Sequence, residues 1–133
     1  MTRILLAEDN PGDVRLIREA LKVHQVAADL VVVEDGEKAV RFVEDLNTSS
    51  TAAPDLVLLD LNLPRTGGRD ILKVIRNTPA MGCVPVVVLT SSDAPEDRAD
   101  TAALGATLYV RKASTLDEFM KIGAIAKELI AQK

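Results

Sequence analysis

Residues 54–64 read PDLVLLDLNLP, and they carry the clearest sign of the architecture. Four consecutive apolar residues lead into Asp60, without the alternation of apolar and polar positions that a half-buried strand shows. Such a run is typical of a strand in a parallel sheet, which helices cover on both faces. Asp60 therefore lies where open parallel sheets bind their ligands, beyond the carboxyl ends of the strands.

Four further apolar runs occur along the chain, at residues 4–7, 30–33, 86–89 and 108–110. Each run is followed by a segment with helical periodicity. Residues suited to cap the start of a helix occur at Asn10, Asp93 and Thr115. Five strand–helix units in succession predict an α/β protein with a doubly wound, five-stranded parallel sheet.

The composition limits the size and the class of the protein. Its 133 residues, 47% of them hydrophobic, suffice for one domain with an ordinary core. Sixteen basic and twenty acidic residues give a net charge of -4, which argues against a nucleic-acid-binding surface. The single cysteine, Cys83, excludes an internal disulfide. No segment resembles a signal peptide or has the length of a membrane span, so we expect a cytoplasmic protein without a membrane partner.

Polar residues follow four of the predicted strands at their carboxyl ends: Glu8, Asp9, Asp60, Thr90 and Lys112. Three carboxylates at one sheet edge repel each other, which predicts a divalent cation with oxygen ligands, above all Mg²⁺. A carboxylate beside such a cation can attack phosphorus, and an ammonium and a hydroxyl would stabilise the transferred oxygens. Taken singly, each residue also has an ordinary explanation as a helix cap, turn residue, strand end or solvated cation. Their joint occurrence on successive strand ends favours a site.

These residues resemble the receiver domain of two-component response regulators, over essentially the whole chain. The resemblance rests on Glu8-Asp9-Asn10, on LLDLNLP at residues 58–64 followed by Gly67-Gly68, and on Thr90 and Lys112. It implies a flavodoxin-like fold with the strand order 2-1-3-4-5. It also implies a single receiver domain over residues 1–133, with no effector domain.

The resemblance assigns a role to each site residue. Asp60 would be the phosphoacceptor, with Lys112 and Thr90 as its catalytic partners. Mg²⁺, with Mn²⁺ as an alternative ion, would be held by the side chains of Glu8, Asp9 and Asp60 and by the backbone carbonyl of Asn62. The conformational switch would consist of Thr90 and Tyr109. The neighbours of the phosphoryl group would be Asn62, Ser91 and Ser92.

The implied function is that of a single-domain response regulator in a phosphorelay. A sensor histidine kinase would phosphorylate Asp60, and the protein itself would catalyse the transfer and a slow autodephosphorylation without being an enzyme for another substrate. The stretches at residues 8–17 and 60–65 resemble small receivers partnered with phytochrome-type kinases. One alternative is a receiver-like interaction module that works without phosphorylation, although the site residues are intact. Another is a metal-dependent phosphatase, which commonly has a second aspartate where Asn62 stands.

The last predicted helix suggests how the signal would leave the molecule. Its apolar residues cover an arc of about 200°, whereas a core-facing helix needs roughly half of that. We therefore expect a homodimer through the fourth helix, fifth strand and fifth helix, with a deeply packed terminal helix as the alternative. The candidate interface residues are Phe119, Met120, Ile122 and Ile130.

The chain departs from the family pattern in two places. Most receivers have a proline in a cis peptide directly after the lysine, and here that position is Ala113. A cis bond before another residue costs about 2.5–4 kcal/mol, so the loop either bears this cost or takes a different path. Glu8 replaces the commoner aspartate, which lengthens the accessory metal ligand by one methylene.

Overall fold

The computed structural model describes residues 2–46, 52–92, 94–112 and 115–132. Asp93 and Ala113 are outside these ranges. The peptide geometry expected at Ala113 therefore stays a prediction. The N-cap of the fourth helix lies at Ala94, one residue after the position that the sequence indicates.

Five strands form one parallel sheet. They are β1 (Arg3–Ala7), β2 (Asp29–Val33), β3 (Leu56–Asp60), β4 (Val86–Thr90) and β5 (Leu108–Arg111). Their order is β2-β1-β3-β4-β5, which confirms the predicted topology. In this register Ala7 pairs with Leu59 and Asp60 with Leu89, so the ends of the central strands lie side by side.

Five α-helices connect and follow the strands. They are α1 (Pro11–Val23), α2 (Gly36–Asp45), α3 (Gly68–Asn77), α4 (Pro95–Ala103) and α5 (Leu116–Ala131), with a short 3₁₀ helix at Pro79–Met81. None of the helices in the described part of the chain has both the length and the apolar character needed to cross a bilayer.

The core consists of two layers, one on each face of the sheet. Leu5 and Ala7 of β1 point toward α2 and α3, whereas Ile4 and Leu6 point toward α1 and α5. All five residues of β3 are buried. The apolar runs of the three central strands, β1, β3 and β4, thus correspond to strands that are covered on both faces, as predicted. The edge strands β2 and β5 are only partly buried.

Side chains cap two helices at the positions that the sequence indicates. The side chain of Asn10 accepts hydrogen bonds from the backbone of Gly12 and Asp13, at 2.8 and 3.2 Å. The hydroxyl of Thr115 accepts one from Glu118, at 3.3 Å. At α4 the N-cap position is occupied by Ala94, which provides no side-chain bond.

The last helix packs closely on α1, and this corrects part of the interface prediction. Phe119 and Ile122 are only 4% and 3% exposed, because both face the core of their own chain. They therefore offer almost no surface to a second copy. Met120 and Ile130 are half-buried and keep some exposed surface. A Cβ at Gly123 would lie 2.0 Å from the carbonyl oxygen of Ala20, so the absent side chain permits this close approach of the two helices.

Candidate functional site

The predicted site residues meet at the carboxyl edge of the sheet. Glu8 directly follows β1, whereas Asp60 and Thr90 are the last residues of β3 and β4. These three residues are buried, with exposed fractions of 1%, 6% and 0%. Asp9 is exposed and leaves the acidic group open to solvent. The fold thus brings together residues that are up to about one hundred positions apart in the sequence.

Three carboxylates form a group that suits a divalent cation. Glu8, Asp9 and Asp60 each offer one oxygen, and these oxygens lie within 4.8 Å of one another. The backbone N–H groups of Asp9 and Asn10 donate to Oε2 of Glu8, at 3.1 and 3.2 Å. Oδ1 of Asp60 accepts from the backbone of Asn62, at 3.0 Å. Oriented carboxylate oxygens at this spacing match the ligand preference of Mg²⁺, so the residues fit the predicted ion.

Lys112 reaches into this acidic group from the end of β5. Its Nζ donates to Oε1 of Glu8 at 2.5 Å, to Oδ2 of Asp13 at 2.8 Å and to Oδ2 of Asp60 at 3.2 Å. Its backbone N–H donates to the carbonyl of Thr90, at 2.7 Å, which fixes the base of the side chain. The ammonium thus lies next to the carboxylate of Asp60.

Asp13 is the one partner of this lysine that sequence reasoning missed. It lies in the first turn of α1, where an acidic residue is common for reasons of helix electrostatics alone. A carboxylate one helical turn after Asp9 was the only available signal. That signal cannot be separated from an ordinary helix start without knowing where Lys112 lies.

Burial and charge shift the ionisation of the two central groups. Burial, and to a smaller degree the charge of Asp60, raise the pKa of Glu8 to about 7, although its bond to Lys112 acts in the opposite direction. Burial also disfavours the charged form of Lys112. Hydrogen bonds to Asp13 and Glu8 outweigh that effect, so its pKa is above the ordinary value and the ammonium stays charged.

The hydroxyl of Thr90 is held between two predicted neighbours of the phosphoryl group. Its Oγ1 accepts from the side-chain amide of Asn62 at 3.3 Å and from the backbone of Ser92 at 3.2 Å. Ser91, which lies between Thr90 and Ser92 in the chain, is exposed. The turn after β4 therefore links the threonine directly to the residues that surround Asp60.

Tyr109 contacts the same turn from β5. Its hydroxyl donates to the carbonyl oxygen of Ser92, at 2.8 Å. The guanidinium of Arg98 lies over its ring, 4.5 Å from the centroid. Ser92 is thus bonded to both predicted switch residues, Thr90 and Tyr109, through its backbone.

A polar network anchors this turn to α3 and α4. The hydroxyl of Ser92 donates to Asp97 of α4, and Asp97 also pairs with Arg69 of α3. The hydrogen bond from Ser92, together with the one from Arg69, holds the pKa of Asp97 below its ordinary value. Neither Arg69 nor Asp97 stands in a recognisable motif, so their contact is not predictable from the sequence.

The loop after Asp60 folds back tightly against the end of β3. The backbone N–H of Gly68 donates to the carbonyl of Leu61, at 3.0 Å. A Cβ at Gly68 would lie 2.6 Å from the Cα of Leu61, so only glycine fits this close approach. Gly68 therefore allows the loop to pass directly against the backbone of Asp60 and Leu61.

Comparisons with known proteins agree with this geometry. A family model described as the response regulator receiver domain matches residues 4–123. The response regulator Rcp1 of Synechocystis is 36% identical over 120 residues, which make up 90% of this chain and 82% of that protein.

Two solved structures are similar over nearly their whole length. The phosphorylated cyanobacterial phytochrome response regulator RcpA has a TM-score of 0.88 at 34% identity, covering 99% of this chain and 96% of that one. The Mn²⁺-bound form of Rcp1 has a TM-score of 0.84 at 34% identity, covering 96% and 93%. The similarity in sequence and in structure thus extends over nearly the whole chain.

Proposed function

We propose that this chain, which belongs to the family of response regulator receiver domains, accepts a phosphoryl group on Asp60. One observation carries the proposal: Oδ2 of Asp60 lies 3.2 Å from the ammonium of Lys112, within a group of three carboxylates. A buried nucleophile beside a cation and a metal-binding group is the arrangement that phosphoryl transfer requires.

The transfer itself would be a displacement at phosphorus. An Asp60 carboxylate oxygen forms a new bond to phosphorus while the P–N bond of a donor phosphohistidine breaks. The electron pair of that bond returns to the imidazole nitrogen of the donor. Lys112 would stabilise the charge on the phosphoryl oxygens, since its ammonium already lies beside the acceptor.

Glu8, Asp9, Asp60 and the carbonyl of Asn62 would hold Mg²⁺. When bound, the ion would supply positive charge that offsets the negative charge of the transferred group. The spacing of the three carboxylate oxygens supports this assignment, and Rcp1 has been crystallised with Mn²⁺. Hydrolysis of the aspartyl phosphate would later reset the protein.

Thr90 and Tyr109 would transmit the change of state. A phosphoryl group on Asp60 offers a charged acceptor to the O–H of Thr90. The oxygen of this hydroxyl now accepts from Asn62 and Ser92, so a movement toward the phosphoryl group would weaken both of these bonds. Because the hydroxyl of Tyr109 is bonded to the carbonyl of Ser92, a shift of this turn would alter the surface near β5.

The partner that supplies the phosphoryl group would be a sensor histidine kinase. A phytochrome-type kinase is the proposed class, because RcpA is described as a phytochrome response regulator and is similar over 99% of this chain. We further propose that the chain acts as a stand-alone receiver, since the match covers 82% of Rcp1 itself.

Phosphorylation with a small donor tests the acceptor assignment. We expect incubation with acetyl phosphate and Mg²⁺ to add one phosphoryl group, detected by intact-protein mass spectrometry. Asp60→Asn should abolish the product, whereas Asp70→Asn, a change at an exposed acid in the first turn of α3, should label like wild type. Equal labelling of Asp60→Asn and wild type would refute the proposal. Steady turnover of a phosphomonoester would instead favour a phosphatase.

A further inference from the structure

We propose that Asp13 is a positioning residue, which keeps the ammonium of Lys112 beside Asp60 when the other carboxylates of the site are engaged. This inference rests on the proposed function. Its first support is geometric: Oδ2 of Asp13 lies 2.8 Å from Nζ of Lys112, closer than Oδ2 of Asp60 at 3.2 Å. Asp13 is also outside the three-carboxylate group that would hold the ion.

The hydrogen-bond inventory of the lysine gives the second argument. An ammonium has three N–H donors, and here they meet three carboxylates, those of Glu8, Asp13 and Asp60. Glu8 and Asp60 are proposed metal ligands, so a bound cation competes with the lysine for their charge. Phosphorylation would also convert the Asp60 carboxylate into a mixed anhydride. Of the three partners, Asp13 alone remains a free carboxylate that can pair with Lys112 both after the cation binds and after Asp60 is phosphorylated.

The contact is not explained by helix capping. The Asn10 side chain already accepts the backbone N–H of Asp13, so the Asp13 carboxylate is not needed for the helix start. Instead it joins α1 to the end of β5, across 99 positions of sequence. The lysine side chain is 13% exposed and that of Asp13 is 23% exposed, so solvent screens the pair only in part. A partly buried charge pair of this kind restricts where the ammonium can lie.

Asp13→Asn removes the charge and keeps the shape of the side chain. We expect phosphorylation of Asp60 by acetyl phosphate to slow by about ten- to a hundredfold, because small displacements of a catalytic group have effects of this size. Asp13→Glu keeps a carboxylate and should restore a large part of the rate. Glu19→Gln removes one charge from an exposed position of the same helix and should leave the rate unchanged.

A spectroscopic measurement separates positioning from general destabilisation. With Mg²⁺ bound, the Lys112 side-chain resonances, observed by ¹³Cε and ¹⁵Nζ NMR, should shift in Asp13→Asn and not in Glu19→Gln. The Mg²⁺ affinity, measured by calorimetry, should stay within about threefold of wild type, since Asp13 is not a ligand. An unchanged rate, an unchanged Lys112 signal, or a loss of Mg²⁺ affinity in parallel with the rate would each overturn the inference.

The wild-type protein provides a test that does not depend on any variant folding. Upon saturation with Mg²⁺, the Nζ protons of Lys112 should remain protected from exchange with water, because Asp13 still accepts one of them. Loss of this protection would overturn the inference. Failure of the proposed function would look different: wild type would not be labelled at Asp60, while the Lys112 signal would still report on Asp13.

Discussion

Glu8 shows how much a single buried carboxylate can control in this site. Its side chain is almost fully buried beside Asp60, and among the residues that the structure describes Lys112 is the one cation paired with both carboxylates. Burial therefore raises the pKa of Glu8 from its ordinary 4.5 to about 7. Near neutral pH the metal-free site would bind a proton for part of the time, and a divalent cation has to compete with that proton.

The first prediction is a pH-dependent affinity for Mg²⁺. Because the cation binds the deprotonated form of Glu8, the affinity should rise by about tenfold between pH 6 and pH 8, as follows from a pKa of about 7. Folding raises this pKa, so the contribution of Glu8 to the stability of the metal-free protein is present at acid pH and is lost as the pH rises through 7. Calorimetric titrations across this range measure the affinity. Glu8→Gln should flatten the profile, and a flat profile in wild type would contradict the assignment.

The second prediction concerns Thr90 and the single tyrosine. The chain contains no tryptophan and one tyrosine, so intrinsic fluorescence reports on Tyr109 alone. Beryllofluoride with Mg²⁺ should change that fluorescence in wild type, because the turn at Ser92 contacts both side chains. Thr90→Ala should lose most of the change, whereas Thr90→Ser, which keeps the hydroxyl, should retain it. An equal response in Thr90→Ala would exclude this route of coupling.

At the scale of elements, the sequence predicts the strands and helix caps, which depend on local pattern. It does not predict side-chain contacts between elements that are distant in the chain. The strands are recognisable because two-sided burial requires continuous apolar runs, as in Leu56–Asp60. The cap of α1 is recognisable because Asn10 bonds its own helix.

Two contacts of the site region depend on how distant elements meet, so the sequence did not reveal them. They are the contact of Asp13 with Lys112 and that of Arg69 with Asp97. For the same reason the sequence left the position of Phe119 open between a dimer interface and a deeply packed helix, and the structure shows it buried in its own chain.

The third prediction tests the packing of α5 on α1. Gly123→Ala would bring a methyl group to 2.0 Å from the Ala20 carbonyl oxygen, so the two helices would have to separate. We expect a loss of about 1–3 kcal/mol in the free energy of unfolding, measured by urea denaturation. At Gly82 a Cβ would meet nothing closer than 3.9 Å, so Gly82→Ala should change stability by less than about 0.5 kcal/mol. Equal stabilities of the two variants would contradict the packing argument.

At the scale of the whole molecule, the acidic site and the surface suited to contact another protein lie at different places on the sheet. The acidic site lies at the carboxyl ends of the central strands, whereas β5 is the last strand of the sheet and forms one of its edges. Leu108 at the start of β5 and Leu116 at the start of α5 are 41% and 60% exposed. An edge strand with exposed apolar residues favours contact with another protein surface. Tyr109 connects this edge to the site through Ser92.

The fourth prediction is self-association through the face made by α4, β5 and α5. Because Phe119 and Ile122 are buried in their own chain, the contact would rest on the partly exposed Met120 and Ile130 and on the exposed Leu116. Sedimentation velocity with beryllofluoride and Mg²⁺ should show a dimer at micromolar concentration. Met120→Glu should weaken this dimer, because association would bury an unpaired charge.

A matched control keeps this test specific to one face. Val23, at the end of α1, is 61% exposed and lies outside α4, β5 and α5, so Val23→Glu adds the same charge elsewhere. It should leave the sedimentation of wild type unchanged. A monomer at high micromolar concentration, both with and without beryllofluoride, would refute the dimer. If Val23→Glu disrupted association and Met120→Glu did not, the contact would lie on the α1 side of the molecule, and the path from Tyr109 to β5 would not lead to the interface.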